Sequence, residues 1–196
     1  GGGAPLSSSD VGVGGRRASH STEQPSGGWA ERQRSRGGGC LVAVECVGWR
    51  GPKRLLHVQS ISEWAPRMIG PYAQLTEGAG TACLAGALAL EPPRMLITEG
   101  GARPQARLAL RNCKAVLGGL GLSASDTVRA LVYVARRDDL PAVHAEVAAC
   151  LDRLSAAGRH ACGVQLLLLQ VSALPMAALV EVQLETSTAA TPLPPR

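Results

Sequence analysis

Three kinds of side chain in this sequence have the chemistry to act on a small molecule. They are the phenol of Gly70-Pro71-Tyr72, the amide of Asn112, and the carboxylate of Glu181, followed two positions on by Gln183. A tyrosine hydroxyl donates a hydrogen bond, and a positioned carboxylate exchanges a proton. Each position also has a plainer reading. Gly70-Pro71-Tyr72 reads as a rigid turn, because proline holds φ and glycine accepts conformations closed to other residues. Asn112 reads as a cap or surface amide, His57 as a satisfied strand histidine, and Glu181 as an exposed strand residue. Alone, these positions do not make a complete catalytic set.

Other chemistries find less support. The cysteines at 40, 46, 83, 113, 150 and 162 form no Cys-x-x-Cys pair and no Cys/His cluster at zinc spacing, so they read as small core residues of a reducing compartment. The Gly- and Ser-rich start, Gly1 to Asp10, lacks the lysine and the flanking strand and helix of a phosphate-binding loop. The formal charge of +5 is concentrated at the N-terminal end: residues 1–54 hold 8 of the 20 basic and 4 of the 15 acidic residues. The remainder is near neutral. Arg16, Arg17, Arg32, Arg34 and Arg36 lie among Gly and Ser without interleaved aromatics, which disfavours nucleic acid as a partner. No stretch reaches the ~20 apolar residues of a membrane span, and a cytoplasmic location is the simplest expectation.

The elements that must position the candidate residues follow from periodicity. Residues 1–38, dominated by Gly, Ser and Arg, have no apolar period and are expected to be disordered. Residues 39–54 hold a possible extra strand, Cys40 to Val47, and a linker broken by Gly51-Pro52. One domain is expected over 55–187, with a polar, Pro-rich tail over 188–196. Within it, strands are expected at Leu55 to Gln59 and at Thr81 to Leu90, the latter interrupted at Gly86. Ala106, Leu110, Cys113, Leu117 and Leu120 share one helix face, ended by Gly118, Gly119 and Gly121. Val128, Ala130, Val132 and Val134 alternate as a half-buried strand. A second helix, capped by Asp138 or Asp139 with Pro141 in its first turn, buries Val143, Val147 and Leu154 and stops at Gly158. Strands at Val164 to Ser172 and Ala178 to Glu185 close an α+β sandwich with both helices on one sheet face. Leu131 and Tyr133 on the other face suggest cover from a partner subunit.

Ile69-Gly70-Pro71-Tyr72-Ala73-Gln74 resembles the Gly-Pro-Tyr-Ser-Gln signature of the YjgF/RidA family. Its leader, His57-Val58-Gln59-Ser60-Ile61-Ser62 followed by Trp64-Ala65-Pro66, is similar to the first RidA-like repeat of eukaryotic diphthine-ammonia ligases, enzymes of diphthamide biosynthesis. Further matches follow in family order: Ala85-Gly86-Ala87 with Leu90-Glu91-Pro92-Pro93, Gln105, Leu110-Arg111-Asn112, Asp126 with Val132-Tyr133-Val134, Leu174-Pro175, and Val180-Glu181-Val182. The resemblance covers roughly residues 55–187. It implies a chorismate-mutase-like fold: a mixed sheet with two helices on one face, assembled as a homotrimer or as repeats within one chain, with clefts between units. Tyr72, Ala85, Gly86, Asn112, Leu166, Glu181 and Gln183 are then the candidate cleft residues.

RidA deaminases resembling this chain bind the substrate carboxylate with an arginine on the strand before the Leu-Pro turn. Counting back eight residues from Leu174 places Leu166 there, and the family's acidic position, read two residues after Glu181, is Gln183. Without that cation and acid, little imine hydrolysis is expected. The first reading is therefore an accessory module of a diphthine-ammonia ligase, whose relatives amidate diphthine on elongation factor 2. ATP would belong to a separate N-terminal domain of that ligase, and no cofactor or metal is expected in this chain. The alternatives are a free-standing enamine/imine deaminase and a trimer that binds a small ligand without chemistry.

Overall fold

The computed structural model describes residues 48–156 and 163–188. The expected disordered segment, the strand-like run Cys40 to Val47, and the tail beyond Thr188 lie outside the described residues. The chain divides into two units, Gly1–Gly48 and Trp49–Arg196, and the fold described here is that of the second.

In chain order the elements are strands β1 (Arg54–Leu56), β2 (Leu75–Gly78), β3 (Thr81–Leu84) and β4 (Ala87–Leu88), and helix α1 (Ala102–Gly118). Strand β5 (Thr127–Val134), helix α2 (Leu140–Ala156) and strands β6 (Gln165–Gln170) and β7 (Val180–Ser187) follow. The order across the sheet is β1-β2-β3-β7-β5-β6, with β4 also pairing β7. Among the described strands only β5 and β6 pair in parallel. A parallel pair needs a crossover, and α2 supplies it.

The strict alternation in β7 suits its central place: Val180, Val182, Leu184 and Thr186 are buried, and Glu181, Gln183, Glu185 and Ser187 face the other way. Strand β5 departs from the expected alternation at its start. A register shift between Thr127 and Arg129 puts Thr127 in the core, where its hydroxyl donates to the Ala124 carbonyl, and leaves Val128 38% exposed. A bulge of this kind moves every earlier side chain to the opposite face.

Both helices cover the face carrying Ala130, Val132, Val182 and Leu184, and the core between them is aliphatic. Helix α1 starts after Gly101 (φ 90°, ψ −169°), a backbone region open essentially to glycine alone. Its buried face includes Gln105 and Asn112 as well as the expected Ala106, Leu110, Cys113 and Leu117. Asn112 is thus neither a cap nor a surface amide. Arg103 and Arg107 both donate to the Glu146 carboxylate, at 2.9 and 2.8 Å, which ties α1 to α2. These two guanidinium groups, Arg107 first, hold the Glu146 carboxyl well down, at about 2.

Strand β2 was not anticipated from the sequence. Only four residues long, it exists because Ala79 (φ 54°) and Gly80 (φ 75°) make a two-residue reversal into β3, with Gly78 opposite Thr81. The part of residues 39–54 that is described is more than a linker. Arg54 opens β1, its Nε donates to Glu77, and its Nη1 reaches the Leu120 carbonyl at 3.1 Å. No described helix is long and apolar enough to cross a membrane.

Candidate functional site

Between β1 and β2 the chain makes one excursion, residues 57–74, and it is held at several points by the side chain that ends the signature. Gln74 Nε2 donates to the Pro66 carbonyl at 3.0 Å, and Gln74 Oε1 accepts from the Val58 amide at 2.8 Å. Met68 N–H donates to the Val58 carbonyl at 2.9 Å, and Ala85 N–H to the Gln74 carbonyl at 3.0 Å. Gln74 therefore does for this excursion what a ladder does for a strand: it satisfies buried backbone groups that no neighbouring chain reaches. A Cβ on Gly70 would lie 2.6 Å from the Tyr72 ring, so a larger residue there would displace the ring from its present position. The phenol folds back over Gly70 and faces the break between β3 and β4.

That break, Ala85-Gly86, carries the decisive contact. A Cβ on Gly86 would lie 1.7 Å from Glu181 Oε1, so the Glu181 side chain extends from β7 directly over the glycine. Desolvation raises the carboxyl above its usual range. Desolvation and then the Glu181 charge raise the Tyr72 hydroxyl as well. The third wall comes from α1: Asn112 Nδ2 donates to the Leu88 and Leu90 carbonyls at 3.0 and 2.9 Å and secures β4 and the residues after it. The result is a shallow depression of about 40 Å³, open to solvent, whose lining includes Tyr72, Ala85, Gly86, Asn112 and Arg67.

The structure thus gathers Tyr72, Ala85, Gly86, Asn112 and Glu181. It separates the two positions obtained by counting. Gln183 lies on the same sheet face as Glu181, opposite Leu131 and one pleat further along β7. Leu166 pairs with Ala130 on the helix-covered face and packs against the core. The β6 residues that share the face of Glu181 are Gln165, Leu167 and Leu169, aligned with Arg129, Leu131 and Tyr133. Leu166 therefore does not line this depression. Nor is the acid missing, because Glu181, read from sequence as an exposed strand residue, is the half-buried carboxylate of the site. Arg67 was not singled out from sequence, and Gln74 and Gln105 were named there only as positions matching the family, without a structural role. The signal for Gln74 was its place at the end of the signature. No group of three or more metal-ligating side chains occurs among the described residues.

A sequence model of the family described as Endoribonuclease L-PSP matches residues 62–187. The chain belongs to this family, the YjgF/RidA family. A RutC family protein of Synechocystis is 34% identical over 119 residues, which span 60% of this chain and 86% of that protein. A 2-iminobutanoate/2-iminopropanoate deaminase of Dermatophagoides farinae is 30% identical over 93 residues, 47% of this chain and 70% of the relative. A RutC family protein of Pyrococcus horikoshii is matched over only 62% of its length. Among solved structures, the YjgF gene product of Escherichia coli superposes with a TM-score of 0.57 at 23% identity, covering 67% of this chain and 98% of its own. A Haemophilus influenzae protein solved in solution gives 0.57 at 26% identity, with coverage of 69% and 97%. The RidA-family chain accordingly has the expected α+β fold, a mixed sheet with two helices on one face. The resemblance of its leader to a diphthine-ammonia ligase repeat gains no support from these relatives.

Proposed function

We propose that this RidA-family chain hydrolyses small enamines or imines derived from amino acids, the reading placed second on sequence alone. The observation that carries it is the half-buried Glu181 carboxylate over Gly86 and beside Tyr72. Imine hydrolysis needs one group that takes a proton from water and returns it to nitrogen, and a carboxyl whose pKa is raised by desolvation suits both steps. Glu181 accepts a proton as the water oxygen bonds to the carbon of the protonated C=N group, which gives a neutral carbinolamine. It returns that proton to the carbinolamine nitrogen, the C–N bond breaks and ammonia leaves, and the hydroxyl proton passes back to Glu181 as the C=O bond forms. Tyr72 donates a hydrogen bond to the reacting group. A shallow depression walled mostly by apolar side chains, with one cationic residue in its lining, gives an RNA strand no track of phosphate contacts.

Association as a homotrimer belongs to the same proposal. It is supported by the apolar open face of β5 and β6 and by the family. The free thiols of Cys83, Cys113 and Cys150 agree with a reducing, cytoplasmic setting.

The test is to generate 2-iminobutanoate in the presence of the purified chain and follow its loss by semicarbazide trapping. Wild type is expected to accelerate the loss, and Glu181→Gln to lower kcat by about 10²–10⁴-fold. An inactive wild type overturns the deaminase and favours the ligase-module reading of residues 57–66, with elongation factor 2 as the partner to examine.

A further inference from the structure

We infer that the outer edge of β6 is a docking strand for a second copy of this chain, which adds to it antiparallel about a twofold axis through Leu168. The sheet path ends at β1 on one side and at β6 on the other. Strand β1 is three residues long, opens on Arg54 and follows Pro52-Lys53. Short length, charge and proline are the features that keep an edge from pairing. Strand β6 has none of them: Gln165-Leu166-Leu167-Leu168-Leu169-Gln170 is uncharged, lacks proline, and runs along β5 without a bulge. A flat apolar edge of this kind is a template for another chain.

One hydrogen bond identifies the open backbone groups. Val171 N–H donates to the Val134 carbonyl at 3.0 Å, so the backbone groups of Val171 face β5. Backbone direction alternates along a strand, so Gln165, Leu167 and Leu169 also face β5, whereas Leu166, Leu168 and Gln170 turn their amides and carbonyls outward. Among the described residues nothing bonds those outward groups.

Their spacing is self-complementary. In an antiparallel pair centred on Leu168, Leu168 lies opposite the partner's Leu168 and Leu166 opposite the partner's Gln170, and each such pair exchanges both of its bonds. Between them Leu167 meets the partner's Leu169, and these leucines, 39% and 44% exposed, cover each other on the open face. Centring on Leu167 instead sets Gln170 opposite a residue before β6, and a one-residue slip sets side chains of opposite faces together. Pairing of β6 with β1 of the next copy would extend without closing, whereas the twofold contact consumes the edge. The contact uses the backbone edge and is separate from association through the open face. It doubles whatever particle that face builds.

A six-residue edge makes a small and weak contact, so the full-length chain is compared from about 10 to about 500 μM. Sedimentation velocity is expected to show the particle doubling in mass. Residue-resolved amide exchange is expected to slow roughly 10-fold or more at Leu166, Leu168 and Gln170 in the concentrated sample, with Leu167 and Leu169, already bonded to β5, unchanged. Leu168→Pro removes an outward amide that β5 does not use, and it should abolish doubling while circular dichroism stays that of the folded chain. Leu168→Lys and Leu168→Glu should each remain undoubled alone, because like charges meet across the axis, and should double when mixed. No doubling by wild type, doubling that survives Leu168→Pro, or added protection at Leu167 and Leu169 instead of their neighbours overturns the inference. The exchange pattern needs no variant, so it decides the matter even where a substitution prevents folding. A particle that doubles from one chain rather than three keeps the edge contact and removes the open-face trimer.

Discussion

Glu181 sits where its charge is costly, and the proposed reaction uses its proton. Burial raises its folded-state pKa above the ordinary carboxylate value, so the protonated form is the one the fold favours. Linkage then gives the sign. The contribution to stability is fully present below the unfolded pKa and is lost as pH rises through the higher folded value. Glu181→Gln, neutral at every pH, should therefore raise the melting temperature at pH 8 and lose that advantage near pH 4, which paired thermal melts would measure. Stabilisation with loss of activity is the outcome expected if a desolvated carboxylate is kept for the proposed reaction. Asn112 has the opposite character. Its Nδ2 satisfies the Leu88 and Leu90 carbonyls from within the core, and Asn112→Ala leaves both without that partner. Denaturant titration should show a loss of about 2–3 kcal/mol, with β4 losing amide protection first.

At the scale of elements, the β2–β3 reversal is the point of poorest local fit. Ala79 occupies the left-handed region at φ 54°, which costs an L-residue with a Cβ roughly 1–2 kcal/mol. Asparagine tolerates that region, and Asn-Gly is the preferred pair for such a turn. Ala79→Asn should stabilise the chain by about 0.5–1 kcal/mol without altering kinetics, as read from chemical denaturation and the imine assay together. A loss of stability would mean that the reversal is held by contacts beyond its own backbone. The excursion 57–74 behaves differently. It has no regular structure, yet Gln74 fastens it at both sides, so Tyr72 and Arg67 are presented from a fixed loop.

For the whole molecule, the sheet has one face covered by α1 and α2 and one that carries Leu131, Tyr133, Leu167 and Leu169, with Leu167 39% and Leu169 44% exposed. Neighbouring leucines at this exposure, beside a polar stripe of Glu181, Gln183 and Glu185, form the kind of surface that pays for burial only against another subunit. Light scattering is expected to return three chains per particle at micromolar concentration, and Leu169→Asp to yield monomers that keep their secondary structure. A monomeric wild type would refute association through this face.

Periodicity along the chain was sufficient for α1, α2, β5 and β7, because the 3.6-residue and two-residue repeats are local properties of a half-buried element. The motif from Ile69 to Gln74 was sufficient for the family. Neither indicated β2, whose four residues, ending in glycine, become a strand only through pairing with β1 and β3. Counting along the sequence also left undecided which sheet face each position takes. In a strand a shift of one residue turns a side chain to the opposite face, so a position reached by counting from Leu174 holds only if no irregularity intervenes. Leu166 lies on the helix side, and the carboxylate over Gly86 is that of Glu181, with Gln183 one pleat further along β7. The proximity of Tyr72, Gly86, Asn112 and Glu181, drawn from a loop, a strand break, a helix and a strand far apart in sequence, was decided by the tertiary structure alone. Only the pairing of β4 with β7 brings Gly86 beneath Glu181, and only the packing of α1 on that sheet brings Asn112 to its edge.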